Sequence, residues 1–236
     1  MKTERRLQSP NLLLRRIGGA EYDAFARELE PVALTFKETL YEQDRPIKQV
    51  YFPTSGMVSL VTRMKDGRQI ETGTVGREGV VGIPAILGAT RAPGRAFCQV
   101  EGSALRMPLD AFVAVTRRSE RVRAVVLLYA NVLMAMMAQS AACNRSHGIE
   151  ARMARWLLIT LDRVDGQEFP LTQEFLAQML GVGRPAVNAA GRSLQSAGLI
   201  EYSRGTVTVL DRAGLERLSC ECYAHVRDEL VRAFGT

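Results

Sequence analysis

Cysteine and histidine are scarce in this chain of 236 residues. The four cysteines, at positions 98, 143, 220 and 222, are too few to hold a fold of this length together by disulfides. The two histidines, His147 and His225, do not combine with a nucleophile and an orienting group into a recognisable catalytic set. These absences exclude a disulfide scaffold and predict that the protein is not an enzyme.

Long uninterrupted apolar runs are also missing from the sequence. The N-terminal apolar run at residues 12–14 is too short for the core of a signal peptide. We find no apolar run that approaches the roughly 20 residues of a membrane-spanning helix. The sequence therefore predicts a cytoplasmic protein in reducing surroundings, without a membrane partner.

Positive charge is present but is not concentrated in one part of the chain. The net charge is +6, with 31 basic and 25 acidic residues. Residues 149–236 contain 10 basic and 11 acidic residues, a net charge of −1, which leaves +7 for the remainder. A nucleic-acid partner must therefore be argued from a local patch and not from the overall charge.

The first 118 residues read as short strands separated by turns. The strand segments are VALTF, VYF, GMVSLVTRM, QIETGTVG and AFCQVEGSALRMP, and a short helix is expected before them at about 20–29. The KDGR segment at 65–68 is a strong hairpin signal, because Asp-Gly tolerates the positive φ of the turn. We predict a β-roll sensor domain over residues 1–118.

Residues 119–146 contain no proline or glycine and predict one long helix. Apolar residues recur within it at alternating steps of three and four, which is a heptad pattern. This predicted seam consists of Val122, Val125, Tyr129, Val132, Met136, Gln139 and Cys143. We interpret residues 119–147 as a dimerisation helix; the alternative is a helix buried within one chain.

The segment from Leu171 to Asp211 predicts a winged helix-turn-helix within a domain at 148–236. Thr172 is a good N-cap, and Gly181 ends the first helix. The second helix begins at Arg184 or Pro185, and an SRG turn separates two short strands after it.

One face of the second helix carries side chains that suit DNA. Arg184, Asn188 and Arg192 are spaced i, i+4, i+8; arginine suits guanine and phosphate, and asparagine suits adenine. The predicted DNA-contacting residues are Thr172, Gln173, Arg184, Pro185, Asn188, Arg192, Ser203 and Arg204.

Over nearly its whole length the chain resembles the Crp/Fnr family of bacterial transcription regulators. LTQEFLAQMLGVGRPAVNAAGRSLQSAGLI is similar to that family's helix-turn-helix. LYEQDRPIKQVYFPTSGMVSLVTRMKDGRQIETGTVGREGVVG looks like its cyclic-nucleotide-binding roll. The resemblance implies an α+β fold of roll, long helix and winged helix-turn-helix. It also implies a homodimer on two-fold double-stranded DNA, acting with RNA polymerase.

The chain departs from the family in both motifs. In the recognition helix the family's usual glutamate is Pro185 and its second arginine is Ala189, which implies a different operator. In the roll, Ile83 and Ala96 replace the glutamate and serine of the cyclic AMP site, while Arg95 keeps the arginine. Neither isoleucine nor alanine can bond the ligand as those residues do.

We therefore expect no cyclic AMP binding, leave another nucleotide open as effector, and identify no certain cofactor. The predicted effector pocket consists of Gly76, Gly82, Ile83, Arg95 and Ala96.

The remaining cysteines and histidine are interpreted as packing residues, with no metal site predicted. Cys143 and His147 lie one helical turn apart, and Cys220 and Cys222 form a C-x-C, but nothing in the sequence shows that the pairs meet. Fnr-type members hold an iron–sulfur cluster on N-terminal cysteines, which this chain lacks before Cys98. Residues 212–234 predict one amphipathic helix that packs on the winged domain or on a dimer partner.

A second hypothesis stays open for the whole protein. It is a small-molecule-binding or redox-sensing module whose winged domain contacts protein instead of DNA. The net charge of −1 after residue 149 supports it.

Overall fold

The structure, a computed structural model, describes residues 9–235. Two short helices, α1 (Leu12–Ile17) and α2 (Gly19–Ala26), precede the roll. The roll contains β1 (Glu30–Leu34), β2 (Thr39–Tyr41), β3 (Gln49–Arg63), β4 (Gln69–Val75), the short helix α3 (Ile83–Ile86) and β5 (Arg95–Pro108). Its antiparallel sheet has the order β1-β5-β3-β4, and β2 pairs with β5 beside this path.

The second half of the described chain is mostly helical. Helices α4 (Leu109–Arg118) and α5 (Glu120–Ser146) leave the roll, and α6 (Ile149–Leu161) begins after Gly148. The winged domain continues with β6 (Glu168–Pro170), α7 (Gln173–Leu180), α8 (Arg184–Ser196), β7 (Ile200–Ser203) and β8 (Thr206–Val209). Helices α9 (Arg212–Leu218) and α10 (Cys222–Phe234) end the chain. The predicted α+β fold class is confirmed.

Local signals place most of these elements where the sequence predicted them. The hairpin turn between β3 and β4 contains Gly67 at φ +86°, as the Asp-Gly signal requires. Thr172 accepts a hydrogen bond from the amide of Phe175 at the start of α7, and Gly181 ends that helix at φ +64°. The strands β2 and β6, of three residues each, were not predicted.

Four residues of the roll contribute to the hydrophobic core of the winged domain. Met57, Val61, Phe97 and Val100 of the roll pack in the same cluster as Trp156 and other residues of α6 to α9. The division of the chain into domains at residues 118 and 147 therefore stays a prediction. In this conformation α7 lies against β4.

The predicted dimer seam on α5 is wrong. Its members Val122, Val125, Tyr129, Val132, Met136 and Cys143 are at most 7% exposed, because they pack against their own chain. All but Cys143 belong to the core cluster of the roll. Side chains buried in this way have no surface to offer to a second copy.

A different face of α5 is exposed. Leu127 is 51% exposed and Met134 61%, although both are large apolar residues. Ala124, Asn131, Ala138 and Ala141 are also exposed and continue the same three-and-four spacing. We call these six residues the α5 outer stripe.

The expectation that no segment could span a membrane also needs correction. By length and composition α5 is sufficient to cross one, and it is the only such helix found within residues 9–235. Arg121 and Arg123 precede an uncharged stretch at residues 124–143, in which a few neutral polar residues break up the apolar run. In the fold, one face of α5 is part of the roll core, as in a core helix of a globular protein.

The C-terminal segment differs from the predicted single helix. It breaks at Ser219 and Cys220 into α9 and α10. Helix α10 packs chiefly on α5, and Val226, Ala233 and Phe234 join the core of the roll in the same chain. It therefore packs neither mainly on the winged domain nor, with these residues, on a dimer partner.

Candidate nucleic-acid interface and regulatory sites

The recognition helix α8 has two chemically different faces. Val187, Ala190, Gly191 and Leu194 are buried against the rest of the winged domain, as predicted. Arg184 and Arg192 are exposed on the other side, and Asn188 is half-buried between them. The helix thus presents a polar face that can enter a DNA groove while its apolar face fixes its position.

The other predicted contact residues surround this face. Thr172 and Pro185 are exposed and Gln173 is half-buried. Ser203 and Arg204 are exposed at the tip of the wing, where Arg204 adopts φ +49° in the turn between β7 and β8.

Arg184 and Asn188 differ in the contacts that their side chains make. Arg184 forms an exposed ion pair with Glu174 on α7, at 3.3 Å. The side-chain oxygen of Asn188 is buried and accepts no hydrogen bond from the described residues. This oxygen can only accept a hydrogen bond, so an N–H donor on a base edge suits it and a phosphate does not.

The residues of the predicted effector pocket are packed against other parts of their own chain. Ile83 and Ala96 are buried in the hydrophobic core of the roll. Gly82 begins α3 at φ +117° and would clash with Val50 if it carried a Cβ. Gly76 lies instead against the side chain of Arg163, where a Cβ would not fit.

Arg95 is engaged by its own chain. It donates hydrogen bonds to Thr39 Oγ1 at 2.6 and 3.2 Å and to Gln69 Oε1 at 3.4 Å. Glu42 lies 3.7 Å from its Nε, and the guanidinium stacks over the ring of Phe97 at 4.9 Å. A phosphate would have to replace these contacts.

A buried ion pair joins the roll to the end of α6, which the sequence analysis missed. Arg163 donates to both carboxylate oxygens of Glu78, at 2.6 and 3.1 Å, and to Thr74 Oγ1 at 2.9 Å. Burial alone would raise the pKa of Glu78, but the charge and hydrogen bonds of Arg163 hold it below its usual value. A cavity of about 370 Å³ adjoins this pair and is also bordered by Asp162 and Arg227.

A second carboxyl group, on the partly buried residue Glu71, lies at the same domain interface. Glu71 on β4 accepts hydrogen bonds from Ser59 Oγ at 2.7 Å and from the Trp156 indole of α6 at 3.1 Å. Burial raises the pKa of Glu71 to about 7, although these donors and the charges of Arg155 and Arg163 oppose the rise. No motif surrounds Glu71 in the sequence, so only its contact with Trp156 in the folded chain identifies it.

The cysteine and histidine pairs that the sequence left apart are brought together. Cys143 Sγ lies 3.5 Å from Cys220 Sγ, and Cys222 Sγ lies 3.6 Å from His147 Nδ1. The sequence could not show that the two pairs meet, and the structure places all four ligand atoms within 4.8 Å of one another. Cys98, by contrast, is buried within the roll.

Comparison with known proteins gives the same two domains. Residues 32–119 match the cyclic nucleotide-binding domain, and residues 151–218 match the Crp-like helix-turn-helix domain. No curated protein matches the sequence.

Similar solved structures share the fold at low identity. TTHB099, a CRP-family transcriptional regulator from Thermus thermophilus, is 23% identical with a TM-score of 0.67, over 80% of this chain and 96% of that one. FixK2 from Bradyrhizobium japonicum is 15% identical with a TM-score of 0.66, over 81% and 98%. The c-di-GMP responsive regulator CLP from Xanthomonas campestris is 13% identical with a TM-score of 0.60, over 81% and 98%.

The order of domains, the two domain matches and the shared fold agree with one another. They describe transcription regulators and not an enzyme family. The chain belongs to the Crp/Fnr family of transcription regulators.

Proposed function

We propose that this protein binds double-stranded DNA sequence-specifically through α8 and regulates transcription from the sites it binds. The observation that carries the proposal is the two-faced recognition helix. Its apolar face is buried while Arg184 and Arg192 stay exposed beside the wing. Arg184 and Asn188 lie near the start of α8, where helix-turn-helix proteins contact base edges. Arg192 and Arg204 are better placed for phosphate.

Selection of bound DNA from a random pool, followed by gel shifts, tests this proposal. We expect Arg184→Ala and Asn188→Ala each to cost about 1–3 kcal/mol on the selected site and to relax preference at particular base pairs. Arg192→Ala and Arg204→Ala should weaken binding to all sequences and reduce the salt slope by about one each. Arg118→Ala, an exposed arginine at the end of α4, is the matched control.

The alternative hypothesis has a distinct outcome in the same assay. If the winged domain contacts protein, duplex DNA affinity will be absent or will not fall with salt, and the four variants will behave like Arg118→Ala. Such a result would overturn the DNA-binding proposal while leaving the fold assignment intact.

We further propose that the protein is a homodimer and that the α5 outer stripe forms its interface. The stripe leaves Leu127 and Met134 exposed at heptad spacing on a helix of 27 residues. A second copy of α5 would cover this face in a parallel pair. Two recognition helices could then reach successive major grooves about one helical turn of DNA apart.

We also propose that cyclic AMP is not the effector of this protein. The buried side chains of Ile83 and Ala96 and the engaged Arg95 argue against cyclic AMP. Titration calorimetry with cyclic AMP should show no binding, whereas one micromolar site per chain would contradict this argument. We propose a cytoplasmic regulator that acts with RNA polymerase, with another nucleotide as the first effector class to screen.

A further inference from the structure

Four metal-ligating side chains converge where the long helix ends. Cys143 lies in the last turn of α5 and His147 directly follows that helix; Cys220 lies between α9 and α10, and Cys222 begins α10. One ligand atom from each residue lies within 4.8 Å of every other. All three cysteines are buried, and none is in a disulfide.

The spacing of these atoms suits a single tetrahedral ion. With zinc–sulfur bonds of about 2.3 Å and zinc–nitrogen bonds of about 2.0–2.1 Å, tetrahedral neighbours lie about 3.8 Å apart for two sulfurs and about 3.6 Å for sulfur and nitrogen. The observed separations are 3.5 Å between Cys143 Sγ and Cys220 Sγ and 3.6 Å between Cys222 Sγ and His147 Nδ1. An iron–sulfur cluster distributes its ligands over several irons and needs them further apart.

Neighbouring groups are arranged as they are around metal ligands. His147 directs Nδ1 to the cysteines, and its Nε2 lies 3.2 Å from a carboxylate oxygen of Glu221. A carboxylate in this position fixes the histidine tautomer in zinc sites. The side-chain amide of Gln139 donates to Cys222 Sγ at 3.0 Å, a contact that favours a thiolate.

Two buried arginines lie nearby without an ion-pair partner among the described residues. Arg152 is 8% exposed and Arg155 7% exposed. Within residues 9–235 neither forms an ion pair, although the charge of Arg155 acts on Glu71, and the Nε of each lacks a hydrogen bond. Buried guanidinium groups need compensating negative charge. Zn²⁺ with three thiolates and a neutral histidine carries a net charge of −1, and the charges of both arginines act at Cys143.

We propose that Cys143, His147, Cys220 and Cys222 form a Zn²⁺ site that fastens α10 to the end of α5. Binding displaces the protons of the three thiols, so affinity falls with decreasing pH. The site lies beside Gly148, where α5 passes into α6. Zinc loading therefore tethers the C-terminal helix at the connection between the long helix and the winged domain.

Metal analysis of the full, untagged chain, purified under reducing conditions, tests the site directly. Any bound zinc is first removed with a chelator, and Co²⁺ is added as a spectroscopic probe. Zn²⁺ is then titrated in to displace the bound Co²⁺. We expect one Zn²⁺ per chain and a Co²⁺ spectrum with the d–d bands and thiolate charge transfer of a tetrahedral site. The melting temperature should rise when zinc is added back.

Variants distinguish this site from adventitious binding. Cys220→Ser and His147→Gln should weaken metal binding by about 100-fold or more, and Glu221→Gln by roughly 10–100-fold. Cys98→Ser, which changes a buried cysteine of the roll, should bind like the wild type. Circular dichroism checks that each variant is folded, and the wild-type cobalt spectrum does not depend on that result.

Four outcomes would overturn the proposal. The first is a wild-type protein with four titratable thiols that takes up neither metal. The second is uptake that Cys220→Ser leaves unchanged. The third is the visible absorption and acid-labile sulfide of an iron–sulfur cluster in the purified protein. The fourth is a Cys143–Cys220 disulfide that, once reduced, leaves a protein unable to bind Zn²⁺.

Discussion

Replacing Glu71 by glutamine should make the protein more stable above neutral pH. In the folded chain the pKa of Glu71 is raised from an ordinary value of 4.5 to about 7. The chief cause is the burial of its carboxyl group beside Trp156. The folded state therefore keeps a proton that the unfolded state loses between these two values. The protonated carboxyl group of Glu71 therefore stabilises the folded state relative to its ionised form. This contribution to the free energy of unfolding is complete below pH 4.5 and is lost as the pH rises through 7.

The difference between the two pKa values is worth up to about 3 kcal/mol in the free energy of unfolding. Glutamine cannot ionise, and its carbonyl oxygen still accepts hydrogen bonds from Ser59 and Trp156. We therefore expect Glu71→Gln to match the wild type near pH 5 and to be about 1–3 kcal/mol more stable at pH 8.5. Other titrating groups, including Glu78, are common to both proteins and cancel in the difference.

Urea denaturation of both proteins at several pH values between 5 and 9 measures this difference. Glu28→Gln, which changes an exposed glutamate, is the matched control and should show no pH-dependent gain. A stability difference between Glu71→Gln and the wild type that stays constant across this range would refute the reasoning, because it would show that Glu71 does not titrate near neutral pH in the folded chain.

Three further changes test other parts of the structure. Leu127→Glu should convert a dimer to monomers in light-scattering measurements, whereas Leu210→Glu, an equally exposed leucine of the winged domain, should not; a dimer that survives Leu127→Glu would contradict the assigned interface. Arg163→Ala should lower the free energy of unfolding by about 3–5 kcal/mol because it leaves Glu78 buried without its partner; a loss below about 1 kcal/mol would show that the pair is not buried in solution. Thr172→Ala removes the N-cap of α7 and should cost about 1 kcal/mol in the same measurement, with Thr172→Ser close to the wild type.

Elements with local signals could be predicted closely. The Asp-Gly turn, the long proline-free segment of α5 and the Thr172 and Gly181 caps of α7 all act within a few residues, and the structure contains each of them. The polar face of α8 was also predicted, since helical periodicity alone places Arg184 and Arg192 on one side. The break at Ser219 and Cys220 had no proline or glycine to mark it.

The interfaces between elements were harder to predict from the sequence, because they depend on which surfaces pack together in the folded chain. Helix α5 carries two stripes at heptad spacing, and periodicity cannot tell which stripe the roll covers. The more apolar one, including Val122 and Tyr129, was assigned to a partner copy, but the fold uses it as core. Ile83 and Ala96 aligned with pocket positions of the family, yet their apolar side chains are buried in the roll.

The sequence by itself determined the order of roll, long helix and winged helix-turn-helix, because periodicity, capping and turn chemistry are local properties of the chain. Only the tertiary structure decided which residues far apart in the sequence contact one another. Packing of the winged domain on the roll brings Glu71 to Trp156, 85 residues apart, and the C-terminal segment brings Cys220 to Cys143, 77 residues apart. Contacts of this kind follow from how apolar faces pack together, which no short stretch of sequence encodes.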